Sequence, residues 1–125
     1  MNINKILQLQ LIYCFLAICY NLVSFFLKIH GGETLTPTSP LLGTVAMIIY
    51  ASFLLAGYYK KMKLYIALMI CSIIVFVYSG IIKHIVNYYE DPDLYASLLS
   101  AINAVLINSF GLVINSIAVF KSKIN

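Results

Sequence analysis

The side chains best able to do chemistry are few and fall into two groups. Cys14, Cys19 and Cys71 lie inside long apolar runs, whereas His30, Glu33, His84, Glu90, Asp91 and Asp93 lie between such runs. A cysteine acts as nucleophile, ligand or redox partner through its thiolate, an anion that hydrocarbon disfavours. No Cys-x-x-Cys pair occurs and no cysteine sits in a connector. The thiols therefore read as small buried apolar side chains, with Cys14 and Cys71 at similar depth and able to touch. The histidines and carboxylates share one compartment and could in principle bracket a divalent cation. Their spacing matches no ligand motif, and no nucleophile or pocket accompanies the carboxylates for acid–base work. The expectation is no catalytic residue, no metal site, no cofactor and no enzymatic activity. Hydrated loop residues and helix caps describe the group more simply.

A second set of polar groups is harder to dismiss. Asn21, Asn103, Asn108 and Asn115 stand inside apolar stretches, where an amide must find a partner or face a polar space. They form either a seam between helices or a polar pathway. Helix-to-helix adhesion is the simpler reading.

The elements that position these residues follow from composition. The 125-residue chain is 62% hydrophobic and only 10% charged, with a mean hydropathy of +0.97. A water-soluble domain of this size could not bury so much apolar surface. A net charge of +4 could suggest nucleic acid, but the eight basic residues are scattered lysines, with no basic patch interleaved with stacking aromatics. The absence of arginine also removes any bidentate phosphate clamp. The implied partners are the lipid bilayer and either a second copy or another membrane protein, with no nucleic acid. Abundant Ile, Asn, Lys and Tyr without Trp point to a low-GC genome and a bacterial cytoplasmic (inner) membrane.

A helix crossing a hydrocarbon core of about 30 Å needs roughly 20 apolar residues. Such runs occur near 6–27, 41–59, 64–82 and 98–120. The fold class expected is all-α: an integral membrane four-helix bundle with antiparallel neighbours, forming a single transmembrane domain over residues 1–125. The first run is too long for a signal-peptide core and lacks a small-x-small cleavage site before Lys28, so it reads as a signal anchor. Thr38-Ser39-Pro40 supplies a hydroxyl cap and a proline at the first helical position. Asp91-Pro92-Asp93 repeats that pattern with carboxylates, suggesting a short interfacial start of the last helix over 92–97. The 28–39 connector, with Gly31, Gly32 and Pro37, reads as an irregular loop, the 60–63 connector as a tight hairpin, and 83–96 as a third connector.

Lys5, Lys60, Lys61, Lys63, Lys121 and Lys123 fall on one side of such a bundle, and Lys28 and Lys83 on the other. The lysine bias predicts an N-in/C-in arrangement. Membrane helices associate through small and polar residues. Such residues recur along Gln10, Cys14, Ala17, Asn21 and Ser24, ending at Lys28, in the first span, and along Ser97, Ala101, Ala104, Asn108, Gly111, Asn115 and Ala118 in the fourth. The first and fourth helices should pack together, with Asn21 near Asn103 or Asn108 and Cys14 or Ala17 against Gly111. No Asp, Glu, Lys, Arg or His lies in the four runs, which disfavours proton-coupled exchange. The leading expectation is a non-enzymatic assembly subunit acting through helix association. A small transporter, channel or lipid flippase working as a homodimer is the alternative.

Overall fold

Each helix begins and ends where local chemistry satisfies its free backbone groups. In the computed structural model, which describes residues 1–122, α1 spans Ile3–Ile29, α2 Pro40–Tyr58, α3 Met62–Phe76, α4 Lys83–Glu90 and α5 Leu98–Ser122. Lys123 lies outside the described residues. Asn2 caps α1 by accepting from the Lys5 N–H at 3.0 Å, and Ser39 caps α2 ahead of Pro40 as the sequence suggested. α1 and α2 end alike. The Gly32 N–H reaches back to the Leu27 carbonyl and that of Lys61 to the Ala56 carbonyl, with Gly31 (φ 80°) and Lys60 (φ 58°) in the left-handed region. This is the six-to-one closure that normally favours glycine at its left-handed position. In the short hairpin a lysine occupies it.

Four helical rods are long and apolar enough to cross a membrane: Ile3–Ile29, Pro40–Tyr58, Met62–Glu90 and Leu98–Ser122. α1 packs on α2 and α5, and the third rod packs on the same two helices. The rods therefore form a ring in chain order, with antiparallel neighbours. The packing of the first helix on the fourth rod agrees with the sequence reading. Met1, Ile3, Lys60 and Lys121 surround one depression, which places both termini and the hairpin together. That end is called here the terminal end, and the opposite one the connector end. Among the described residues there is no strand.

The third rod departs from expectation. The reading ended it at residue 82, but α3, a π-helical segment (Val77–Ile82) and α4 run without a break to Glu90. A helix leaving hydrocarbon keeps its own hydrogen bonds, so falling hydropathy alone does not stop it. It stops at Asp91 (φ −149°, ψ 88°), because the residue before a proline is pushed out of the helical region. Pro92–Leu94 then make one 3₁₀ turn, Tyr95 is extended, and Ser97 accepts from the Ser100 N–H at 3.1 Å to start α5. The last helix therefore begins at Leu98, and 92–97 is a turn and an extended stretch instead of its interfacial first turn.

The π-helical segment sets the register of the rod. Tyr65, Met69, Ser72, Phe76, Gly80 and His84 are its buried residues. An ordinary helix turns about 100° per residue, so the two four-residue steps from Phe76 to His84 would carry His84 about 80° off the buried face. The wider π turn, closed by the Lys83 N–H on the Tyr78 carbonyl, takes up that excess and holds Phe76, Gly80 and His84 inward.

Candidate functional site

The polar interior is layered. Nearest the terminal end, side chains from all four rods meet at the centre, two of them from α3. Gln10 of α1 donates from Nε2 to Asn115 Oδ1 of α5 at 2.9 Å and to Met69 Sδ at 3.0 Å, and it accepts from the Tyr65 hydroxyl of α3 at 2.7 Å. The Tyr50 hydroxyl of α2 donates to the same Asn115 oxygen at 2.7 Å. Gln10, Asn115 and Tyr65 are 0% exposed and Tyr50 is 1% exposed. Because a thioether cannot donate, the Met69 contact fixes which end of the Gln10 amide faces it. Bonds of this kind contribute about 0.6 kcal/mol each inside a membrane bundle. Their geometric effect is larger, since four rods are tied at one level. Asn115 Nδ2 is the one buried side-chain nitrogen or oxygen without a hydrogen-bond partner among the described residues.

Above this lock sits an aromatic layer. Tyr13, Tyr50 and Phe76 pack edge to face, with ring centroids 5.5 to 5.8 Å apart. The Tyr13 ring fits against Gly111 of α5 so closely that a Cβ there would fall 2.6 and 2.7 Å from Cε2 and Cε1. The Tyr13 hydroxyl then donates to Asn108 Oδ1 at 3.3 Å. The Asn108 amide lies over Gly80 of the π-helical segment, where a Cβ would come within 2.9 Å of Nδ2.

Asn108 is also the floor of a cavity of about 210 Å³ that occupies the connector half of the bundle. Its polar lining comes from Tyr20, Asn21, Thr36, Thr38, Ser79, His84 and Asn108, and no Asp, Glu or Lys lines it. The two long connectors roof it. The Leu35 N–H donates to Ser24 Oγ at 2.9 Å, the Ala96 N–H donates to the Leu35 carbonyl at 3.3 Å, and Thr36 is thereby tucked inside at 4% exposure. The exposed lining residues, Thr38, Leu42, Ala46 and Ser79, belong to the approach to α2, to α2 itself and to the π-helical segment. The mouth therefore lies sideways, between α2 and the third rod. His84 is held by the second connector: Nδ1 lies 2.8 Å from the Tyr95 hydroxyl oxygen, and that hydroxyl donates to the His84 carbonyl at 3.1 Å. A hydroxyl has a single hydrogen, so Nδ1 carries the other proton. Burial pushes the Tyr95 hydroxyl pKa up, with the hydrogen bond to Asn87 opposing, so it stays neutral.

The asparagines thus take four different places. Asn115 is sealed in the lock, and Asn108 joins the aromatic layer to the cavity. Asn21 lines the cavity but lies against Gly43 of α2 and donates to the Ala17 carbonyl at 2.9 Å. Its expected pairing with Asn103 or Asn108 is not made, because Gly43 leaves room for it on the α2 side. Asn103 is exposed on the opposite surface of α5. Gly111 receives Tyr13 in place of Cys14 or Ala17, since α5 carries no side chain there and a ring fills the space. Cys14 instead lies 3.4 Å from the Met47 carbonyl of α2, and Cys71 is exposed. The two thiols belong to different faces, and the reading of Cys71 as buried is corrected.

His84, expected as a hydrated rim residue, is 6% exposed, because the third rod continues through it. An ionisable side chain is therefore buried within that rod, which removes part of the case against proton coupling. His30 is exposed, with Nδ1 2.8 Å from the Phe26 carbonyl. Among the described residues, no three His, Cys, Asp or Glu side chains are grouped to hold a metal ion. Tyr65, read as an interfacial tyrosine, is instead fully buried. Tyr13 and Tyr50 escaped the sequence reading altogether. Their one available signal was position: Tyr13 and Tyr50 sit mid-span, away from the interfaces that tyrosine favours.

No protein-family model, curated protein or solved structure matches the chain.

Proposed function

We propose that this four-span protein is a non-enzymatic binding unit of the membrane, whose cavity holds an uncharged, hydrogen-bonding group as the first step of facilitated movement across the bilayer. The observation carrying this reading is the cavity itself. It reaches Asn108, is lined by amides, hydroxyls and the His84 imidazole with no carboxylate or ammonium, and is floored by a closed aromatic layer. A ligand bearing a full charge would enter without a counter-charge, at a large desolvation cost. The seams that favoured helix-to-helix association are largely spent within the chain: Gln10, Cys14, Ala17, Ala101, Ala104, Gly111, Asn115 and Ala118 are all buried. That weakens the assembly reading and favours a binding role.

The test uses the purified protein in neutral detergent. Glycerol and acetamide should raise the unfolding temperature, whereas ethylammonium and acetate at equal concentration should not. Ala104→Leu, which fills the cavity from a position 4% exposed, should abolish the shift while leaving the ligand-free protein folded. Equal shifts with the charged compounds, or a shift that survives Ala104→Leu, would overturn the proposal.

One observation still supports association. Asn103 leaves an amide exposed on α5, in a shallow groove with Cys19 and Tyr20 of α1. In hydrocarbon such an amide gains from a partner helix. Asn103→Cys, in a chain whose native cysteines are replaced, should form a crosslinked dimer on oxidation in native membranes. A monomer only would remove the homo-oligomer version of this reading.

A further inference from the structure

We infer that the ligand is a membrane amphiphile, with an uncharged polar head in the cavity and an apolar tail lying between α2 and α3. This rests on the binding reading above and adds the ligand's class and route of arrival. The cavity does not open toward water at the connector end, because the two connectors are tied across it by the Ala96 to Leu35 hydrogen bond. Its mouth lies on the side of the bundle. Directly beside that mouth is a second depression of about 290 Å³, a groove between α2 and α3 lined by Ile49, Phe53, Cys71 and Val75 among others. Ala46 and Phe76 line both spaces, so polar cavity and apolar groove are neighbours across these two side chains.

Depth supports the same occupant. Ala46 lies six residues into α2, about 9 Å below its connector end, and Phe53 lies about 20 Å below it. A molecule filling both spaces would place its hydrogen-bonding part near the connector-end interface and its tail toward the bilayer midplane. A lipid of that leaflet already lies this way. The two ends of the α2–α3 pair also differ. At the hairpin end Gly57 abuts the Tyr65 ring, with a Cβ there only 3.0 Å from ring carbons. Toward the connectors, the same pair of rods leaves the groove. The helices are thus fastened at one end and parted at the other, as lateral admission from lipid requires. With no carboxylate or ammonium in the cavity lining, the head is of the alcohol or amide class.

The experiment reconstitutes the whole chain in phosphatidylcholine vesicles with a monoacylglycerol carrying a diazirine near the tail's end. Adducts are mapped by mass spectrometry after irradiation. They should concentrate on Ile49, Phe53, Cys71 and Val75 relative to lipid-facing Leu11 and Leu106. Loss of the head's hydrogen bonds in Ala104→Leu should lower groove labelling about three- to ten-fold. A diazirine-bearing alkane without a head should show no such enrichment. Val75→Phe, at a position that lines the groove only, should lower labelling of Ile49, Phe53 and Cys71 while the soluble glycerol shift persists. Uniform labelling around the bundle, or groove labelling by the alkane equal to that by the monoacylglycerol, would overturn the amphiphile proposal even where the glycerol shift is seen. A fatty-acid carboxylate or acyl trimethylammonium probe labelling the groove as well would overturn the uncharged head. Absence of the glycerol shift in the unaltered protein would instead count against the binding reading itself.

Discussion

Gly111→Ala should destabilise the bundle even though alanine is the better helix former. In an exposed helix interior the exchange gains about 1 kcal/mol. Here the new methyl meets the Tyr13 ring at 2.6 and 2.7 Å from two ring carbons. That ring is 0% exposed, packs edge to face on Tyr50 and Phe76, and is bonded through its hydroxyl to Asn108. It cannot move aside without losing those contacts. Overpacking of this kind costs about 1–3 kcal/mol, an aromatic pair about 0.5–1.5 kcal/mol, and the hydroxyl bond about 0.6 kcal/mol. Set against the helix gain, a net loss of about 1–4 kcal/mol follows. Unfolding in mixed micelles with rising SDS measures it, followed by tyrosine fluorescence because the chain has ten tyrosines and no tryptophan. In a Tyr13→Val background the same substitution should be neutral or stabilising, since the obstacle is gone. An equal cost in both backgrounds, or a more stable single variant, would refute the proposed seating of Tyr13.

Other outcomes follow from the same geometry. Tyr65→Phe leaves Gln10 Oε1 with no donor, whereas Tyr50→Phe leaves Asn115 Oδ1 still holding Gln10. The first should therefore cost about 1–3 kcal/mol and the second visibly less in the same SDS titration. Lys60→Gly should stabilise by about 1 kcal/mol, because a non-glycine residue at φ 58° carries a steric penalty; a loss of stability would show that the Lys60 side chain matters more than its backbone. Tags on the two termini should be reached by impermeant reagents from the same face of the membrane, and from the cytoplasmic face by the lysine bias. Tags found on opposite faces would break the four-crossing description.

The sequence displays what hydrocarbon demands and hides what the interior negotiates. Four runs without charge, the Ser39-Pro40 start and the pairing of α1 with α5 were readable because each depends on local composition or on small-residue spacing. The reach of the third rod to Glu90 was not, since the π turn that keeps His84 inward leaves no mark in hydropathy. The lock was half visible: Asn115 and Gln10 stood out as amides in apolar runs, but Tyr50 and Tyr65 resemble ordinary aromatic filling until four rods meet. Asn21 was misassigned because depth along a helix says nothing of rotation, and Gly43 on α2 offered the room that α5 did not.

The most direct measurement is the reach of a small uncharged reagent into the bundle through the side mouth of the cavity. In a chain with Cys14, Cys19 and Cys71 replaced, single cysteines at Ala104 and Asn115 can be exposed to a small uncharged thiol reagent in reconstituted vesicles. Ala104→Cys should react and Asn115→Cys should stay protected until the protein is unfolded. Protection at both positions would mean no accessible cavity, and reaction at both would mean an open path through the lock; either result contradicts an uncharged binding site closed at its floor.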